Sequence, residues 1–409
     1  MYVLTGSSTL LGFIAIMSLG PTLLVAPVAG VMIDRLNKRN VIVVTQSVAL
    51  LQAAILATLV LTHRAQIWHI VALALLMGVV TAVDNPGRQA FMIEIVEDRE
   101  HLPNAIALNS SMFNLARIAG PMLAGWVLKV VGAGMCFLLN AVSFVAVIIA
   151  LLAMKIAPRE RKVVERHVGK ELKEGAAHAF GSVPMRSILL FLSLMSFCSG
   201  AYTVLLPAFA KSVFKGNETT YTVLYAAVGC GAVAAAITMA SRRSVRGLSR
   251  KLLVACLIFS SCLTLIGASS MLLPRIGWES LHLPAVAVGF WRLPAANLSA
   301  GYLCAIPLLI GVGFGAMTHM ASSNTMIQTI ADDEYRGRVM SFYTMAFMTP
   351  MPIGSMLAGT LADLAGPPKV ILLFGLLGVM GALIFRRGLP TIRAALRPIY
   401  EEKGIIPGK

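Results

Sequence analysis

Eleven stretches of this chain, each 18 to 26 residues long, carry almost no charge. They lie at 8–33, 41–62, 67–86, 103–128, 134–154, 187–210, 219–241, 252–273, 301–326, 339–362 and 369–386. About 20 apolar residues suffice to carry an α-helix across the hydrocarbon core of a bilayer. In lipid every backbone N–H and C=O must be satisfied internally, and a helix does so within one segment. The pattern therefore predicts an all-α integral membrane protein. Composition agrees, since only 13% of residues are charged where soluble domains carry about a quarter. The last stretch is the shortest, and its Lys369 and Arg386 are expected to snorkel.

Charge fixes an orientation. With the first inter-helix loop placed in the cytoplasm and the rest alternating, inside segments hold 26 Lys and Arg and outside segments hold 7. The positive-inside rule favours this arrangement. The beginning of the chain is then outside and its basic end is in the cytoplasm. The net charge of +16 fits a face that meets anionic headgroups, and nucleic acid is not an expected partner. The six cysteines sit in apolar runs without a C-x-x-C pair, so they read as buried small hydrophobes, neither disulfides nor metal ligands. No metal site is expected. The first charged residue is Asp34, and no cleavable leader is expected.

The chain also repeats itself. Residues 98–132 align without a gap on 332–366, with nine identities: Asp98/Asp332, Glu100/Glu334, Phe113/Phe347, Gly120/Gly354, Met122 to Gly125 against Met356 to Gly359, and Gly132/Gly366. A period of 234 residues is far too long for a solenoid and marks two similar halves. The repeated stretches are the fourth and tenth helices, so the repeat unit is six helices. The first half holds five: a counterpart of 187–210, which carries Tyr202 and Pro207, is expected upstream. An in-frame extension of about 30–50 residues, enough for one helix and its leader, is therefore expected in the gene. The 409-residue chain by itself is expected to insert but to transport poorly.

Three motifs carry a family resemblance. "GVMIDRLNKR" (Gly30 to Arg39) resembles the signature loop G-x-x-x-D-R-x-G-R-R of the major facilitator superfamily, departing at Asn37 and Lys38. "GPMLAG" (120–125) is similar to the end of the antiporter motif G-P-x-x-G-G, with Ala124 for a glycine. The pair "DNPGRQAFMIEIVEDREHLPNAIALNSSMFNLARIAGP" and "DDEYRGRVMSFY" resembles the enterobactin-exporter-like, multidrug efflux branch. The resemblance implies two pseudo-symmetric helix bundles, here five plus six in place of six plus six. The bundles would be 1–154 and 187–386, joined by a cytoplasmic amphipathic linker 155–186 and followed by a basic cytoplasmic tail 387–409.

The resemblance also assigns roles. Gly30, Asp34, Arg35, Arg39 and Arg88 would form a conformational latch, Asp34 facing Arg88 and the helix beginning near Val339. Gly120, Pro121 and Gly125 would shape the antiporter helix. Candidates for substrate binding or coupling are Asp84 (read as the end of the third run), Asn114, Arg117 and His319. A charged residue at a helix centre is costly unless it faces a cavity or a partner, and no carboxylate is expected in mid-membrane. Gly311, Gly313 and Gly315 read as helix packing, and Trp278, Phe290 and Trp291 as an outer aromatic belt.

The expected activity is secondary export of an amphipathic small molecule, drug or siderophore, from a cell inner membrane by a monomer. A proton gradient would drive it and no cofactor would be needed. A lysophospholipid flippase is the alternative. An enzyme is disfavoured: no histidine has Asp five positions on, so an acyltransferase pair is missing, and no G-x-x-x-x-G-K-[ST] loop exists to bind ATP.

Overall fold

The computed structural model describes residues 7–95, 102–154, 168–216, 218–241, 246–272, 300–332 and 335–402, with short pieces between 281 and 298. Within helices, the side chains of Gly30, Asp34, Arg35, Asn114, Arg117, Pro121 and Gly125 lie outside the described set. The chain is almost wholly helical: α1 Ser8–Arg35, α2 Lys38–Leu61, α3 Ile67–Ile95, α4 Leu102–Ala153, α5 Val168–Gly181, α6 Val183–Ala208, α7 Glu218–Ala240, α8 Leu248–Leu272, α9 Ala300–Ile330, α10 Arg336–Met348, α11 Pro350–Ala365 and α12 Pro367–Glu402. Among the described residues, nine helical segments are long and apolar enough to cross a membrane. Helix faces carry exposed Ile237, Leu364 and Ile384, as a lipid-facing surface requires.

Most expected runs lie inside one helix to within about two residues; 339–362 is instead divided at Thr349 between α10 and α11, and four further differences are informative. Helix α3 continues nine residues past 86, through Pro86, to Ile95. Asp84 is thus the eighteenth of 29 helical residues, which corrects its reading as a helix end. Helix α12 does not stop at Arg386 but runs to Glu402. Its lower part buries Leu389, Ile392, Leu396 and Tyr400 along one face, so the expected tail is in part a packed helix. Segment 273–300 contains four three-residue strands, β1 Leu281–Leu283, β2 Val286–Val288, β3 Trp291–Leu293 and β4 Ala296–Leu298. They pair antiparallel as β1 with β4 and β2 with β3; Trp278, Phe290 and the Trp291 side chain fall outside the described residues. Finally, of the cysteines read as buried, only Cys198 and Cys256 are; Cys230 and Cys304 are exposed, since an apolar thiol is equally at home against lipid.

The repeat is structural. Gly132 breaks α4 at φ 81°, and Gly366 separates α11 from α12 at φ 88°. These are the last identical pair of the alignment, and both occupy the left-handed region that glycine enters without penalty. The same corner is cut twice, 234 residues apart.

The chain divides into two compact units, Phe13–Glu171 and Met1–Gly12 with Leu172–Lys409. In the first, α2 packs on α3 and α4, with Ile42, Phe91 and Leu151 as a small buried cluster. In the second, α9 packs on α7 and α8, α12 on α8, and α11 on α6. Leu192, Leu205, Phe259, Leu263, Met326 and Phe374 lie in its core. Small residues let backbones touch: a Cβ built on Gly313 would stand 1.9 Å from the Val228 carbonyl oxygen, and one on Gly315 2.6 Å from that of Ala255. The glycines at 313 and 315 therefore pack α9 on α7 and α8.

Candidate functional site

The first unit buries one carboxylate between α2 and α3. Asp84 is 8% exposed. Its Oδ1 accepts hydrogen bonds from the Thr45 hydroxyl at 2.6 Å and the Gln46 amide at 2.9 Å. Its Oδ2 accepts from Nε of Arg88, one turn along α3, whose side chain is half-exposed. The Thr45 hydroxyl can turn instead to the Ile42 carbonyl at 2.9 Å. The Gln46 amide oxygen is buried without a partner. A buried acceptor with nothing to accept costs about 1–3 kcal/mol, so the cluster holds one unfilled acceptor beside one ionisable acid.

The signature loop is tied into the same unit. Asn37 caps α2, its side-chain oxygen accepting the Asn40 N–H at 3.2 Å. Lys38 pairs with Glu94 at the end of α3. Arg39 donates from Nε to the Leu151 carbonyl at 2.7 Å and from Nη2 to that of Leu152 at 2.5 Å. A cation on the last carbonyls of α4 opposes the negative end of its dipole. Arg39 thus caps a neighbouring helix. Asp34, Gly30 and Arg35 lie on α1 with side chains outside the described residues, so the carboxylate that Arg88 is seen to meet is Asp84.

On the repeated helix, Asn114, Arg117, Pro121 and Gly125 are helical in backbone only. Gly120 is described: among the described residues a Cβ there would meet nothing within 4 Å. Its counterpart Gly354 differs, with a Cβ 2.1 Å from the Phe197 carbonyl oxygen.

His319 lies deep in the second unit, 4% exposed. Its ring meets Phe191 edge-on at 5.5 Å, and Phe191 stacks on Phe385 at 4.3 Å. Its Nε2 has no hydrogen-bond partner, and neither do the hydroxyls of neighbouring Thr318 and Ser323. The structure therefore brings Asp84 and Arg88 together and leaves His319 in a separate polar stripe. Among the described residues no group of His, Cys, Asp and Glu could hold a metal ion. Sequence reading missed Thr45, Gln46 and Glu94, although a Thr-Gln pair inside the apolar run 41–62 was a signal. It also missed Asp363, which replaces Lys129 in the aligned repeat.

Residues 1–276 match the family described as transmembrane secretion effector. The chain belongs to this family of the major facilitator superfamily. It is similar to the staphyloferrin A transporter of Staphylococcus aureus (strain NCTC 8325 / PS 47), 25% identical over 381 residues that cover 92% of this chain and 86% of the relative. It is also similar to the multidrug efflux pump Tap of Mycolicibacterium fortuitum, 24% identical over 401 residues, 93% of this chain and 88% of that one. Its fold is that of the crystal structure of a mutant of the nucleoside transporter NupG, with a TM-score of 0.69 and 12% identity over 95% of this chain and 92% of that one. The protein is a multi-pass membrane transporter.

Proposed function

We propose that this chain is a proton-coupled exporter of an amphipathic, siderophore-like or drug-like small molecule, working by alternating access in a cytoplasmic membrane. The observation that carries the reading is a pair of relatives, one a siderophore transporter and one a drug efflux pump, each aligned over more than nine-tenths of this chain. The chain's beginning faces outward and its basic end the cytoplasm, the protein works as a monomer, and the proton gradient replaces any cofactor.

Asp84 is the coupling carboxylate in this reading. Ionised, it accepts from Thr45, Gln46 and Arg88. Protonated, it becomes a donor, and a half-turn of the Gln46 amide offers the unfilled oxygen as its acceptor. The carboxyl group therefore has a partner on Gln46 in either protonation state. Protonation also frees Arg88, which can then meet Asp34 in the latch that the signature loop implies. Substrate would bind near the bilayer midplane.

The test is ethidium accumulation in cells with and without the gene, alongside metabolite profiling of the medium. Cells carrying the gene should retain less ethidium than cells without it, and Asp84→Asn should restore retention while the protein stays in the membrane. Full efflux by Asp84→Asn removes Asp84 from coupling. Translocation of labelled lysophospholipid without any ethidium efflux or secreted metabolite favours the flippase.

A further inference from the structure

Helix α1 begins in a clamp. Its first residues group with Leu172–Lys409, whereas Phe13 onward belongs to the other unit. Asp363, near the end of α11, reaches the N-terminus of α1 with both carboxylate oxygens. Oδ1 accepts the Ser8 N–H at 2.8 Å; Oδ2 accepts the Thr9 N–H at 3.0 Å and the Ser7 hydroxyl at 2.9 Å. The Ser7 oxygen in turn accepts the Leu10 N–H at 3.3 Å. The opening N–H groups of a helix lack partners within it and carry the positive end of its dipole. A carboxylate from a distant helix supplies what a capping side chain ordinarily does.

Backbone contact flanks this cap. A Cβ on Gly359 would stand 2.3 Å from the Ser8 carbonyl oxygen, and one on Gly12 would stand 2.6 Å from Cα of Met356. Two glycines, one on each helix, allow the helices to touch, and Ser8 is 2% exposed at the contact. Nothing else on α11 carries charge: Asp363 is the only ionisable side chain between Pro350 and Ala365. A carboxylate at a helix end, itself exposed but held by charge-assisted bonds to three donors, is a short-range tie. A few ångströms of separation remove all three bonds at once.

We propose that Asp363 is a gating residue: it holds the first turn of α1 against the end of α11, and transport requires this clamp to release. The proposal rests on the alternating-access reading above. The geometry suits a gate, because the tie joins the very start of a helix that continues into the other unit, so movement of α1 loads the clamp directly. Release leaves the freed N–H groups in reach of water at the membrane face, which makes breaking the clamp affordable within a transport cycle.

The test reads the clamp and the cycle separately. Ser8→Cys is introduced into the full chain in lipid nanodiscs, and its reaction with a maleimide is followed by peptide mass spectrometry, so that exposed Cys230 and Cys304 do not interfere. Asp363→Ala should raise the labelling rate at position 8 about tenfold, and Asp363→Asn, which keeps one acceptor oxygen, less. An unchanged rate in Asp363→Ala overturns the clamp. In cells, the pair Ser7→Cys and Asp363→Cys should lose ethidium efflux when oxidised and regain it with dithiothreitol. A cross-linked pair that still exports ethidium at the full rate overturns the gate. Failure of the unmodified gene product to move ethidium counts against the export reading with this probe, and position 8 labelling then decides the clamp alone.

Discussion

Gly120 and Gly354 occupy equivalent places in the repeat, yet alanine should act oppositely at the two. At Gly354 the added methyl would lie 2.1 Å from the Phe197 carbonyl oxygen, where ordinary C···O contact needs about 3.3 Å. Both atoms are fixed by backbone, so α6 and α11 must part by about 1.2 Å. Such overpacking costs about 1–3 kcal/mol. The same shift strains the bond from Ser355 Oγ to the Gly200 carbonyl, 3.1 Å long, and an interhelical bond of this kind in a membrane averages about 0.6 kcal/mol. The better helix propensity of alanine returns about 1 kcal/mol. The net loss is about 0.6–2.6 kcal/mol, or a fall in Tm of roughly 1–10 °C for a unit of this size. Gly120→Ala keeps the propensity gain and meets no described neighbour, so its Tm should hold or rise slightly. The assay is thermal unfolding in detergent with a thiol-reactive dye, which reports exposure of buried Cys198 and Cys256. Equal Tm losses at the two positions, or none at Gly354, would refute this account of the packing. Loss of ethidium efflux by Gly120→Ala at unchanged Tm would assign that glycine to transport and not to packing.

Three further outcomes follow from the side-chain geometry. Asp84→Ala should lower Tm, at a cost of about 2–3 kcal/mol, because the Gln46 amide loses its acceptor while half-exposed Arg88 turns to water and Thr45 to Ile42; Asp84→Asn, with an oxygen in place, should cost about 1 kcal/mol. Arg39→Leu should speed hydrogen exchange at the end of α4 and cost about 1–2 kcal/mol, with Arg39→Lys recovering part of it because an ammonium cannot reproduce the two-pronged contact. His319→Leu should leave Tm unchanged or higher, since removing an unpartnered buried nitrogen relieves about 1–3 kcal/mol against about 0.5–1.5 kcal/mol for the lost edge contact with Phe191; a clear fall in Tm would mean that the ring has a bonding role.

Helix positions were readable because in a bilayer charges mark where helices meet water. That rule fails where a charge has a partner. Asp84, Arg88 and Glu94 sit inside α3, the first two bonded to each other and the third to Lys38, so the helix runs on where the charge pattern suggested a stop. Arg386 and Arg387 likewise lie within α12, both exposed, while Leu389 and Ile392 beside them are buried. Asp84 and Arg88 could be singled out from sequence as polar groups in apolar surroundings. Thr45 and Gln46 stand out only as a polar pair in an apolar run; which charge they meet could not be read, because pairing depends on how two helices are rotated against each other, and a nearly uniform apolar run carries no such phase. Asp363 was hidden for the same reason: its partners are backbone N–H groups more than 350 residues away.

The two copies of the repeat show how one inherited helix serves two ends. Both keep the Met-Leu-Ala-Gly run and the closing glycine, and both turn that glycine to positive φ. They differ at the residue after the first glycine, Pro121 in one and Ser355 in the other. Proline has no N–H to give and tends to kink a helix interior. Serine keeps the ladder intact, and at Ser355 the hydroxyl is free to bond the Gly200 carbonyl across the interface. Beside it Gly354 lets α6 come to backbone contact, and one turn further on Gly359 does the same for the start of α1. The second copy has thus become a seam with a small residue at each point of contact, closed at its end by Asp363. The seam fits α11 closely to α6, and its contact with the first turn of α1 is the one that Asp363 holds.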